Sequence, residues 1–289
     1  MSYSIIIPAY NEEKSILTIL QKLSDNLNQL HQQYEIVIVN DGSTDMTRDQ
    51  VKESGVLTTL IDRKINKGYG ASLKEGIDAA KYDIIVITDA DGTYPNERIP
   101  ELVQIALAGD CDMVVGARVG KDARIPLIRK PAKWVIGKLA NYLGEYKIPD
   151  INSGLRVMKK AVVKKFFNIL PSGFSFTTTI TLAMLTNGYN VKYVPINYYK
   201  REGKSKIRPI RDTLNFIQLI VRTVMYFNPL RIFIPFALML IMGGLGVFLV
   251  GLFVYGKVFD TTFTLLFVSA VMVLSIGMLA DLIDKRVGK

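Results

Sequence analysis

Cysteine, histidine and tryptophan occur once each in 289 residues. A lone Cys111 excludes an internal disulfide framework and fits a reducing compartment. A lone His31 removes zinc sites built on several imidazoles and argues against a Ser-His-Asp hydrolase. Neither G-x-G-x-x-G nor G-x-x-x-x-G-K-[ST] occurs, which argues against a dinucleotide fingerprint and a P-loop. The opening MSYSIIIPAY has no charged n-region and no long apolar run, so no secretory leader is expected. Charge is missing from two long stretches, the 25 residues 232–256 and the 20 residues 261–280.

These stretches concentrate hydrophobic residues in a chain that is 49% hydrophobic and whose mean hydropathy is positive. A bilayer core needs roughly 20 apolar residues per helix, so each stretch can span one. Lys257 and Asp260 alone break the gap, which reads as a tight transmembrane hairpin. Arg222 and Arg231 precede it and Lys285, Arg286 and Lys289 follow it. The positive-inside rule therefore puts both ends of the hairpin, and everything before it, in the cytoplasm.

The net charge of +10 is also localised. Residues 118–147 and 200–231 each hold eight basic and two acidic residues, more than the whole excess. Within 125–146, Leu127, Ile128, Trp134, Val135, Leu139 and Leu143 interleave with Arg129, Lys130, Lys133 and Lys138. That pattern predicts a helix lying in the bilayer interface, and 206–227 is a similar candidate. Beside transmembrane spans, such charge points to anionic lipid headgroups rather than nucleic acid.

The first 120 residues alternate between short apolar runs and helical periodicity. Strands are predicted at 3–8, 34–39, 56–61, 83–88 and 113–116, with helices at about 12–30 and 44–53 and after the Gly-rich turn at 66–70. Continuous apolar strands between helices indicate parallel β-α-β units, in which ligands bind beyond the carboxyl ends of the strands. Every polar cluster of interest falls there: Tyr10-Asn11-Glu12, Asn40-Asp41-Gly42, Asn66-Lys67-Gly68, Asp89-Ala90-Asp91 and Arg118.

Asp89 and Asp91, one residue apart after DIIVIT, can jointly hold Mg2+ or Mn2+ against a diphosphate, because hard cations take oxygen ligands. Asp41, followed by the capping residues Ser43 and Thr44, is placed to accept hydrogen bonds from a base or ribose; a capping loop is the plainer alternative. Asn66-Lys67-Gly68-Tyr69-Gly70 has the look of a phosphate-cradling loop.

Taken together, IIPAYNEE (6–13), VNDGSTD (39–45), NKGYGASLKEG (66–76) and DADGTYP (89–95) closely resemble the family 2 glycosyltransferases of GT-A fold, and among them the dolichyl-phosphate mannose synthase-like group. The resemblance covers residues 1 to about 210, and the hairpin matches anchors appended in that group. It implies an α/β, mostly parallel GT-A domain over 1–205, including an interfacial segment at about 125–146, then an interfacial helix at 206–229 and the membrane hairpin at 230–289. It implies that Pro8, Tyr10, Glu12 and Asp41 hold the nucleoside, with Lys67, Gly68, Asp89 and Ala90 completing the nucleotide side. Asp89 and Asp91 would handle metal and diphosphate. Thr93 stands where the dolichol enzymes often carry a glutamine, the third metal position. DINSGLR (150–156) resembles the family's D-x-x-SG-[FLY]-R loop near donor sugar and acceptor, which brings in Ser153. REGKSK (201–206) resembles its R-x-G-x-SK loop, with Arg201 at the diphosphate and Lys204 toward lipid headgroups. Arg118, and more loosely Arg129 and Lys133, match positions that grip the acceptor phosphate.

The implied reaction moves a hexose from a nucleotide sugar, GDP-mannose first and UDP-glucose or UDP-N-acetylglucosamine next, to a dolichyl or polyprenyl monophosphate. Asp91 and Arg118 are the expected catalytic pair. Processive polysaccharide synthases carry Q-x-x-R-W, absent here. Transfer to a glycerolipid, and a non-catalytic membrane scaffold, are the other readings. Gly243, Gly244 and Gly246 leave room for helix packing, including homo-oligomers.

Overall fold

The computed structural model describes residues 2–28, 33–109, 111–119, 148–173, 175–199, 218, 221–222, 225–226, 228–257 and 259–287. The chain divides into two compact units, Met1–Ile217 and Gln218–Lys289.

The first unit is built on a seven-stranded sheet: β1 (Ser2–Ala9), β2 (Gln33–Asp41), β3 (Thr59–Arg63), β4 (Ile84–Ile87), β5 (Met113–Ala117), β6 (Arg156–Lys159) and β7 (Val191–Pro195). Their order is β3-β2-β1-β4-β6-β5-β7. Every pairing is parallel except those of β6, which runs antiparallel between β4 and β5. The four predicted central strands form close to where their apolar runs lie. The third is displaced: it pairs with β2 from Thr59 to Arg63 rather than over 56–61. As an edge strand, half exposed, β3 tolerates the polar Asp62, which accepts from Asn40 Nδ2 at 2.7 Å, while Arg63 turns its side chain inward onto Asp41. β6 and β7 carry no long apolar run and are not expected from the sequence.

The helices of this unit are α1 (Ile16–Asn28), α2 (Thr47–Glu53), α3 (Tyr69–Ala79), α4 (Ile99–Ala108), α5 (Lys160–Lys165) and α6 (Phe176–Thr186). The amphipathic stripe Ile16, Ile19, Leu20, Leu23 and Leu27 of α1 is buried, as is the inward set Ile99, Leu102, Val103 and Ala106 of α4. Both join Ile5, Ile7, Ile36, Ile38, Val86 and Val114 of the sheet in one core. α6 is buried on every side from Phe176 to Leu185, which suits its apolar and threonine composition. On α3, Gly76 lies so close to the sheet that a Cβ there would stand 2.5 Å from Ile6 Cγ2 and 3.3 Å from Val39 Cγ2.

In the second unit, α7 (Leu230–Tyr255) and α8 (Asp260–Val287) pack on one another as a hairpin. Each includes a stretch long and apolar enough to cross a membrane. Gly256, left-handed at φ 59°, ends α7, and its N–H donates to Gly251 O. Ala237, Gly244 and Gly251 are the buried positions of α7, and Gly244 lies against Phe263 and Leu266. Gly243 and Gly246 face open space. Leu238, Met242, Phe253, Val271, Met272 and Leu279, among others, are exposed, so the apolar face of this unit points outward. The interfacial segment 125–146 lies outside the described residues, and so does nearly all of 206–227.

Candidate active site

β6 is antiparallel, so its beginning lies at the edge where the parallel strands end. Arg156 pairs with Ile87, the last residue of β4, and with Val115 near the end of β5. The loop 150–155 therefore arrives where the β1, β2, β4 and β5 loops leave. Strand order reverses between β1, which continues to β2, and β4, which belongs to the other half. That is the switch point at which open α/β sheets bind ligands.

The β1 and β2 loops interlock. Asn11, left-handed at φ 54°, accepts from Thr44 N–H at 2.8 Å and donates its own N–H to Ser43 Oγ at 3.0 Å. Glu12 N–H donates to Thr47 Oγ1 at 2.8 Å, and Asp45 accepts from Thr47 N–H and hydroxyl at 3.0 and 2.5 Å. Asp45 thus holds the first N–H of α2, which starts at Thr47 rather than at Thr44. Pro8 is half-buried within β1, Tyr10 is exposed just beyond it, and Glu12 is half-buried.

Asp41 closes β2, nearly buried. Its Oδ1 accepts from Arg63 Nη1 at 2.8 Å and Lys67 N–H at 2.9 Å, and its Oδ2 from Gly68 N–H at 2.8 Å. Gly70 and Ala71 donate their N–H groups to Gly173 O and Ser172 O at 3.2 and 2.9 Å. In the stretch expected to cradle a phosphate, the N–H groups of Lys67, Gly68 and Gly70, and of Ala71 just after it, are thus taken by the protein. The side chain of Lys67, by contrast, is exposed at the rim. Arg63 directs all five guanidinium donors inward, to Asp41, Ser72 Oγ, Ala71 O and twice to Glu75. Burial opposes its charge, but these carboxylates outweigh that and hold its pKa above the usual value.

Beyond β4, Asp89 and Asp91 are half-buried. Ala90 between them is buried, and its carbonyl accepts from Ser15 Oγ at 2.7 Å, which ties this loop to the β1 side. Asp91 Oδ1 accepts from Thr93 N–H at 3.1 Å and Thr93 Oγ1 at 2.6 Å. Thr93, the expected third metal position, is wholly buried with its hydroxyl on Asp91. Tyr69 Oη donates to Asp89 Oδ1 at 3.0 Å. Burial, with the Asp89 carboxylate beside it, pushes the Tyr69 phenol well above its ordinary pKa. Gly154 lies on Asp89, where a Cβ would stand 2.8 Å from Oδ2, and its N–H donates to Tyr94 Oη at 2.6 Å.

Arg118 follows β5 directly. Its Nε and Nη2 grip Asp150 at 2.7 and 2.8 Å, and its N–H adds a third bond at 3.0 Å. Its guanidinium also lies over the Tyr198 ring, 5.2 Å from the centroid. One bidentate edge is therefore engaged by the protein. Ser153, expected near the acceptor, is wholly buried and donates to Gly116 O at 2.5 Å, which seats the loop on β5. Arg156, also wholly buried, donates to Ser153 O at 2.7 Å, Ile151 O at 2.8 Å and Thr181 Oγ1 at 2.5 Å. Burial lowers its pKa. Arg129, Lys133, Arg201 and Lys204 lie outside the described residues.

Among the described residues no three Asp, Glu, His or Cys side chains converge into a metal cage. Asp89 and Asp91 supply only oxygen donors. This fits a hard cation that completes its shell from a diphosphate and water rather than from protein. Sequence reasoning missed Arg63 altogether. It quoted Tyr69, Tyr94, Asp150, Gly154 and Arg156 within motifs without assigning their tasks.

A family model described as glycosyl transferase family 2 matches residues 4–167, and one described as GtrB C-terminal hairpin matches residues 228–285. An undecaprenyl-phosphate 4-deoxy-4-formamido-L-arabinose transferase of Pseudomonas fluorescens is 31% identical over 260 residues, 84% of this chain and 70% of that protein. A dolichol-phosphate mannosyltransferase of Pyrococcus furiosus is 30% identical over 222 residues, 72% of this chain and 60% of that protein. The chain spans 50% of the length of a low-salt glycan biosynthesis hexosyltransferase of Haloferax volcanii. In fold it is similar to glucosyl-3-phosphoglycerate synthase from Mycobacterium tuberculosis, solved with Mn2+, uridine diphosphate and phosphoglyceric acid. The TM-score is 0.61 at 19% identity, over 77% of this chain and 78% of that one.

Proposed function

The chain belongs to glycosyl transferase family 2, and we propose that it moves a hexose from a nucleotide sugar to the phosphate of a dolichyl or polyprenyl monophosphate. Its anchor is the C-terminal hairpin, with the sheet domain on the cytoplasmic side, as the flanking cations indicate. The observation that carries the reading is the meeting of Asp89, Asp91 and the Arg118–Asp150 pair at one edge of the sheet. Support also comes from relatives whose names specify transfer to dolichol phosphate and to undecaprenyl phosphate.

The chemistry asks little of a base. A phosphomonoester has its second pKa at about 6, so the acceptor oxygen is largely ionised at neutral pH. The residues' work is then positioning and charge. Tyr10 and Glu12 flank the nucleoside, and Asp41 acts through the 66–68 turn that it holds. Asp89 and Asp91 would hold Mg2+ or Mn2+, which when bound neutralises charge on the departing diphosphate. Arg118, oriented by Asp150, presents its remaining donors to the acceptor phosphate, joined by Arg129 and Lys133; Arg201 and Lys204 belong to the diphosphate and headgroup side. In-line attack inverts the anomeric centre and gives a β-linked product from an α-linked donor.

GDP-mannose is the first donor to test, with UDP-glucose and UDP-N-acetylglucosamine after it. The deciding experiment gives the full chain in detergent each labelled donor with polyprenyl phosphate, diacylglycerol or an oligosaccharide, in metal-free and Mn2+ buffers. Label in polyprenyl phosphate only, dependent on Mn2+, is expected. Label in diacylglycerol or in a growing glycan would replace this acceptor, and no transfer from any donor would remove the activity.

A further inference from the structure

Asp89 is held by residues of two other loops. Tyr69, the first residue of α3, is half-buried and donates to Oδ1 at 3.0 Å. Gly154 lies against the same carboxylate and leaves room for no more than hydrogen: a Cβ would stand 2.8 Å from Oδ2, 2.9 Å from Oδ1 and 3.0 Å from Cγ. Gly154 is fixed in turn by its N–H bond to Tyr94 Oη at 2.6 Å. Tyr69 cannot drift, because the next two N–H groups of its helix, Gly70 and Ala71, are tied to Gly173 O and Ser172 O.

An aspartate carboxylate turns about a broad, two-fold torsion and keeps one orientation only if something holds it. We propose that Tyr69 is a positioning residue: its hydroxyl sets the angle at which Asp89 faces the divalent cation and the diphosphate, with Gly154 packed against the same carboxylate. The assignment rests on the function proposed above. It gives the tyrosine of the NKGYG stretch a task at a distance of 20 residues.

The test uses the full chain in detergent and reads Mn2+ uptake by electron paramagnetic resonance, with uridine diphosphate present and again with guanosine diphosphate. Tyr69→Phe removes one oxygen and keeps the ring. Its Mn2+ affinity should fall about 10- to 100-fold, the scale at which partners of metal ligands act. The Mn2+ concentration giving half-maximal transfer should rise in parallel, with an unchanged circular dichroism spectrum. Gly154→Ala, which presses a methyl on the same carboxylate, should weaken Mn2+ in the same sense. A Tyr69→Phe protein that takes up Mn2+ as tightly as wild type overturns the assignment, whatever its turnover. If that variant does not fold, Gly154→Ala decides, and wild-type affinity there overturns it equally. Wild-type protein that takes up no Mn2+ with either diphosphate removes the metal-assisted function, and the positioning role with it.

Discussion

Two arginine–aspartate pairs stand at the carboxyl edge of the sheet, and they differ in how much of the arginine is used. At the end of β2 and β3, Arg63 directs all five donors into the protein, and both side chains are below 10% exposure. After β5, Arg118 gives two guanidinium donors to Asp150, lies over Tyr198, and keeps 22% of its side chain exposed. The first pair is finished as architecture, and the 66–68 turn hangs from it. The second has its orientation fixed while part of the side chain stays exposed. A strand-end charge is a ligand-binding candidate to the extent that its own fold leaves donors over.

Breaking the first pair should have the largest effect. Arg63→Ala leaves Asp41 nearly buried with no cation, which costs about 3 to 5 kcal/mol. Denaturant unfolding of that variant should show it, and Arg118→Ala should lose clearly less. Equal losses would abolish the distinction between the pairs. Between them lies Asp91, and Asp91→Ala should lower transfer by roughly two to three orders of magnitude with the melting temperature unchanged, as removal of one charge-stabilising group does. Near wild-type turnover would exclude a metal-assisted mechanism. Arg118→Lys keeps the charge but not the planar fork, and should reduce turnover by about 10- to 100-fold, the equivalent of one charge-assisted pair. Its Michaelis constant for the lipid phosphate should rise while that for the donor stays; the reverse pattern would move Arg118 to the diphosphate. The smallest effect is expected at the other end of the chain. Truncation after Asn228 should change nucleotide affinity by no more than about twofold, as for independent sites, while transfer to long-chain lipid falls and transfer to a short prenyl phosphate persists. Loss of nucleotide binding would join hairpin and sheet into one folding unit.

The parts of this fold that were legible in the sequence are those where one residue type repeats at a fixed period. The runs at β1, β2, β4 and β5 and the stripe of α1 are such places, and so are the two uncharged helices of the hairpin. β6 was hidden because its four residues RVMK open with a buried arginine and hold no run at all. The site was legible as a set of strand-end charges, but hydrogen-bond direction is invisible to a motif. Nothing in NKGYG distinguishes amides that point at a phosphate from amides that point at Asp41. Nor does SGLR reveal that its serine and arginine turn inward, to Gly116 O and to the loop's own carbonyls.

Gly76 gives helix α3 a second meaning. Its missing methyl lets the helix settle onto Ile6 and Val39, and Tyr69 begins the same helix seven residues earlier. At 1.5 Å per residue the two are separated by about 10 Å along a rigid rod. The helix therefore works as a ruler: the height of its far end above the sheet is measured out to its near end, where a phenol must meet a carboxylate. A single added carbon at position 76, touching nothing in the crevice, would be read there as a change in reach.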